Sequence, residues 1–132
     1  MFLNNLNSTP KKLFIELAIK ATESNGIVNF EQKNMLKAFA LEMGINPIYH
    51  TERSTEKIID DIIGSCSEKE LKVILFEILG IIVVDGAFDD KEKLFVADFV
   101  KKCDIDMALV ESMVNLLDKY VAIYKEIIEV VL

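Results

Sequence analysis

Tryptophan is missing from this 132-residue chain, histidine occurs once, and cysteine and proline occur twice each. A lone His50, with no cysteine or acid cluster beside it, leaves no Ser/His/Asp or Cys/His set for nucleophilic catalysis. It also leaves no Cys/His metal site. Cys66 and Cys103 are too few and too far apart for a disulfide framework or a zinc knuckle, and read as reduced, mostly buried small hydrophobes. No glycine-rich phosphate loop and no redox cysteine pair occurs. The N-terminal stretch lacks the basic region and long apolar core of a signal peptide, and the strongest apolar run, Ile78 to Val84, is too short to span a bilayer. A cytoplasmic, non-catalytic protein with no membrane span is expected.

What is present is apolar and acidic. The 52% hydrophobic content argues for a packed interior rather than disorder. Two prolines and five glycines leave room for long helices. The net charge of −7 repels nucleic acid and anionic lipid, so a basic partner or a cation fits better than a polyanion.

Along the chain, residues 4–8 read as a short flexible lead. Thr9-Pro10 reads as an N-cap followed by proline at the first helical position. Leu13, Phe14, Leu17, Ala18 and Ala21 then carry a first helix to about Ser24. Asn29 caps a second helix with Gln32 at the capping-box position. Its core face is Met35, Leu36, Phe39, Ala40 and Met43, and Gly44 stops it. Residues 46–55 read as a loop that holds a solvated His50. A third helix buries Ile58, Ile59, Ile62 and Ile63.

Ser67-Glu68-Lys69-Glu70 is a capping box that opens a fourth helix, apolar nearly all round and so expected to be buried nearly all round. Gly80 inside it predicts a close helix crossing. A fifth helix runs from Asp90 to about Lys102 and buries Phe95, Val96, Phe99, Val100 and Cys103. Asp106 caps the last segment, where Val110, Val114, Leu117, Val121, Tyr124, Ile128 and Val131 step by four and three. A helix that long either bends into two pieces or lets its tail project, the plainer reading being that its stripe packs on the first and fourth helices. In the second case Ile123, Ile127, Val130 and Val131, within the helix Tyr120–Leu132, make a homodimer seam.

Shifted by 60, the halves register without a gap, giving pseudo-repeats at about 13–45 and 73–105. Asn25, Gly26, Asn29 and Gln32 fall on Asp85, Gly86, Asp89 and Glu92, and Phe39 and Ile45 fall on Phe99 and Ile105. Two copies are too few for a solenoid. They fit a single all-α domain over 1–132, a compact bundle of six to seven helices built from two pseudo-repeated helical hairpins.

The sharpest feature is Asp85-Gly86-Ala87-Phe88-Asp89-Asp90-Lys91-Glu92, where one helix stops at Gly86 and the next starts at Asp89. A helix, Asp-Gly-x-apolar-Asp-x-x-Glu, a second helix, and a weaker copy in the other half resemble the TerB-like family, from about Leu13 to Ile105. That family takes its name from a bacterial tellurite-resistance protein, and a related domain occurs at the membrane-associated end of a DnaJ-like chaperone. The resemblance implies a bundle of about seven helices and non-catalytic roles in stress responses, in protein assemblies near a membrane and in metal sensing. The family's acidic positions carry over to Asp85, Asp89 and Glu92. The N-terminal copy departs from the pattern, with Asn25, Asn29 and Gln32 there.

Three readings of the acidic turn follow, one of them a docking site for a basic partner. Asp85 and Asp89 serve as caps, since free amide N–H groups at the start of a helix donate to carboxylates. Alternatively Asp85, Asp89, Asp90 and Glu92 gather carboxylates for Ca²⁺ or Mg²⁺. The EF-hand pattern fails, because its glycine position is Asp90 and its terminal glutamate position is Val96. A cation held there makes thermal stability rise with millimolar Ca²⁺ or Mg²⁺, and Asp85→Asn with Asp89→Asn removes the rise. Equal responses in a thermal melt mean that the ion acts elsewhere or not at all. The function expected from sequence is thus a protein-interaction or scaffold module, with a divalent-cation sensor as the alternative.

Overall fold

The computed structural model describes residues 1–23, 28–84 and 90–132, with Val84 described by its backbone alone. Among the described residues the chain is all-helical, with no strand. A single 3-10 turn, Leu3–Asn5, precedes α1 (Ser8–Thr22), α2 (Phe30–Met43), α3 (Thr55–Ser65), α4 (Glu68–Val84), α5 (Asp90–Lys102) and α6 (Met107–Val131). Contacts divide the chain into two compact units, residues 1–78 and 79–132, with the division inside α4.

In the first unit α1 packs against α2 and α3. The buried residues follow the helical period: Phe14, Leu17 and Ala18 on α1, Leu36, Ala40 and Met43 on α2, and Ile58, Ile59 and Ile62 on α3. Phe14 meets the half-buried Phe39 edge-to-face at 5.4 Å. Met35 is also only half-buried. Ile63 is exposed, because the short α3 turns one face inward and Ile63 lies a step beyond it.

The residues read as a flexible lead are built into this unit. Leu3 and Leu6 are buried and the 3-10 turn packs on α2. Phe2 stacks edge-on against Phe76, and its amide donates to the buried Glu77 Oε1 at 2.6 Å. α1 begins before the expected Thr9 cap, with Asn7 at the cap position and no side-chain cap bond. The cause is long-range: the Asn7 amide donates to Glu70 Oε2 at 2.9 Å, which fixes the entry to α1. Pro10 still falls in the first turn, where its missing N–H costs nothing.

Other caps form as their residues dictate. Asn29 and Gln32 exchange the two bonds of a capping box, and the Gln32 amide group also donates to the Thr22 carbonyl. Ser67 and Glu70 do the same at α4. The Glu70 carboxylate therefore accepts from two amides, chiefly that of Asn7 and also that of Ser67, which holds its carboxyl below the ordinary value of 4.5. A depressed folded-state pKa contributes stability above the unfolded value, and that stability is lost as pH falls through the folded value. The destabilisation caused by Glu70→Gln is accordingly expected to be largest at neutral pH and to shrink as pH falls below 4.5, read by urea unfolding at stepped pH.

In the second unit Leu79, Ile81 and Ile82 of α4 are buried, as are Val96, Phe99 and Val100 of α5 and Val110 and Leu117 of α6. Phe95 and Cys103 are half-buried rather than buried. The close crossing expected at Gly80 is not found among the described residues: the nearest atom there to a Cβ built on it is Leu117 Cδ2, at 3.9 Å. That is ordinary contact. Gly80→Ala is expected to raise stability by about 0.5–1 kcal/mol, since it adds helix propensity without a clash. A lower urea midpoint would show that the contact is tighter than this.

The two ends of the pseudo-repeat share one local geometry. At the end of α2 the Ile45 amide donates to Ala40 O at 3.0 Å and the Gly44 amide to Leu41 O at 3.2 Å. Sixty residues on, Ile105 donates to Val100 O at 3.0 Å and Asp104 to Lys101 O at 3.3 Å. Gly44 and Asp104 both take the left-handed conformation, with φ of 69° and 54°. This is the Schellman stop, with glycine in one copy and aspartate, which tolerates that region, in the other.

Candidate interaction surface

The acidic turn is placed only in part. Asp90 and Glu92 lie in the first turn of α5, where carboxylates face the positive end of the helix dipole; Asp90 is exposed and Glu92 half-buried. Asp85 and Asp89 lie outside the described residues, as does the Gly86 stop. Among the described residues no group of three or more His, Cys, Asp or Glu side chains is arranged to hold a metal ion.

His50 sits in the exposed loop, with Nε2 2.8 Å from Glu52 Oε1. Cys66 and Cys103 form no disulfide and are half-buried. Burial pushes the Cys103 thiol up to about 11, so it is a neutral thiol and a poor nucleophile near pH 7.

Sequence reasoning missed a polar cluster in the first unit. Glu16 interrupts the apolar run Leu13 to Ile19 of α1 and is buried. Its Oε2 accepts from Thr51 Oγ1 at 2.9 Å, and its Oε1 accepts from Arg53 Nη1 at 3.1 Å. Arg53 also pairs with Asp61 of α3, the first cause of its raised pKa. The acid amid hydrophobes was the available signal, but its partners lie 35 and 37 residues away. A recess of about 410 Å³ beside this cluster is lined by Ser8, Lys12, Glu16, Arg53 and Asp61 among others. Both Glu16 oxygens are taken by residues of one loop, so the cluster acts as a clamp that ties residues 51–53 to α1 and α3.

The second unit offers apolar surfaces. A groove of about 490 Å³ between α5 and α6 is lined mainly by Val96, Ala97, Met107, Val110 and Val114, with Lys93 and Glu111 at its polar edge. Further along, α6 runs unbroken for 25 residues. Its expected stripe is covered only in its first half: Val110 and Leu117 are buried, Val114 and Val121 half-buried, and Tyr124, Ile128 and Val131 exposed. The reading that packs the whole stripe inside the fold is therefore corrected for the C-terminal half. Leu116, Tyr120, Ile123, Ile127 and Val130 are 59%, 50%, 56%, 52% and 87% exposed. Tyr120 and Tyr124 stack with ring centroids 6.4 Å apart. Isolated exposed hydrophobes are ordinary, but a contiguous row along one helix face marks an interaction site.

No family model, no curated protein and no solved structure matches the chain. Among the described residues no helix is long and apolar enough to cross a membrane.

Proposed function

We propose that this chain is a non-catalytic protein-interaction module whose docking surface is the C-terminal half of α6. The observation that carries the reading is the row of exposed apolar side chains from Leu116 to Val130 on one continuous helix. Water contact with that row is unfavourable by roughly 25 cal/mol per Å², and a partner that covers it recovers the difference. The polar clusters of the first unit serve the fold, since the carboxylates of Glu16, Glu70 and Glu77 each accept from named groups of the same unit. The TerB-like resemblance supports the same role and suggests a setting in tellurite-type stress responses.

Affinity capture with the intact chain tests this, with Ile123→Asp/Ile127→Asp as the comparison. Both positions are half exposed, so the variant is expected to keep its helicity and melting temperature while losing its captured partners. An unchanged set of captured partners, with the fold intact, would contradict the reading.

A further inference from the structure

Resting on that reading, we infer that the partner of the α6 face is a second copy of this chain, paired antiparallel through the same helix. The row has a period of 3.5: the half-buried Met113 and the exposed Leu116, Tyr120, Ile123, Ile127 and Val130 step by three and four alternately, the pattern of a left-handed coiled-coil seam. Whether two such helices run together or head to tail is decided by the flanking charges. In the head-to-tail arrangement Ile123 of one copy lies opposite Tyr120 of the other, Ile127 opposite Leu116, and Val130 opposite Met113. Every layer of the seam is then filled by two of these residues. The same register brings Lys119 of each copy beside Glu126 of the other, twice by symmetry. In the parallel arrangement Lys119 faces Tyr124 and Glu126 faces Val131, with no charge paired.

Charge and area agree with self-association. The chain carries −7 in all, yet between residues 113 and 131 three acids (Asp118, Glu126, Glu129) stand against two lysines (Lys119, Lys125). The rest of the chain carries the repulsion, and the seam is close to neutral. Covering the exposed parts of the row removes on the order of 600 Å² per copy, near the ~800 Å² per partner of a standard interface.

Sedimentation equilibrium across micromolar to near-millimolar concentration tests the inference on the full chain. The wild type is expected to pass from monomer to dimer. Lys119→Glu and Glu126→Lys each place like charges opposite one another and are expected to weaken dimerisation about tenfold. The double exchange Lys119→Glu/Glu126→Lys is expected to restore it. Both positions are exposed on α6, and circular dichroism checks that the helix is kept. A wild type that stays monomeric overturns the inference. So does a dimer that ignores the single charge reversals, because its seam is parallel or elsewhere. A monomeric wild type whose heterologous partners are lost with Ile123→Asp/Ile127→Asp overturns self-pairing while leaving the docking surface standing.

Discussion

Replacing Phe14 with alanine is expected to cost about 3–5 kcal/mol of unfolding free energy, the largest single-residue effect in the first unit. Phe14 is fully buried, lies on the face of α1 that α2 and α3 cover, and meets Phe39 edge-on. Truncation removes the transfer free energy of a ring and leaves a cavity that helices pinned by caps at Asn29, Gly44 and Ser54 cannot readily close. Phe30, at the start of α2, has the same chemistry and is exposed. Phe30→Ala is expected to change stability by less than about 0.5 kcal/mol. Urea unfolding of the pair checks this, and comparable losses in both would mean that Phe14 does not anchor the core.

Glu16→Ala is expected to destabilise by about 1–3 kcal/mol, because it leaves buried hydrogen-bonding groups without partners. Thr51 Oγ1 loses its acceptor, and Arg53 keeps only Asp61. Glu16→Gln, which retains an acceptor for Thr51, is expected to cost less. The instructive comparison is Glu16→Leu with Thr51→Val, where both partners of the buried bond become apolar and the part-buried Arg53 amide gives up an acceptor, Thr51 Oγ1. Matched removal costs much less than an orphaned group, so the double variant is expected to regain a good part of what Glu16→Ala loses. Denaturant midpoints for the variants measure the difference. If the double variant is no more stable than Glu16→Ala, the bond to Thr51 is not where the energy lies.

Helix type and most helix ends were legible in the sequence because the signals are local. The Asn29/Gln32 and Ser67/Glu70 boxes, the Gly44 stop and the Asp106 cap each form from residues within a few positions of one another. Spacing gave the fully buried residues of α2 and α3, Leu36, Ala40, Met43, Ile58, Ile59 and Ile62, but also added Met35 and Phe39, which are half-buried, and Ile63, which is exposed. Features that depend on distant partners were not legible. The N-terminal 3-10 turn is held by Glu77, α1 starts where Glu70 grips Asn7, and Glu16 is satisfied from the loop at 51–53. Of the four candidate metal ligands, Asp90 and Glu92 lie in the first turn of α5, and Asp85 and Asp89 lie outside the described residues. The α6 stripe shows a different limit. Periodicity states that a face is apolar, and it does not state whether the same chain or another covers it.

Chemical cross-linking separates the two ways of pairing α6 most directly. In a chain carrying Cys66→Ser and Cys103→Ser, single Ile123→Cys and Leu116→Cys substitutions are compared with a short bismaleimide. Antiparallel pairing sets the two copies of position 123 about 4–5 Å apart along the axis and those of position 116 about 16 Å apart. A covalent dimer from Ile123→Cys and none from Leu116→Cys is the expected result. Equal cross-linking at both positions, or at neither, would contradict antiparallel pairing through α6.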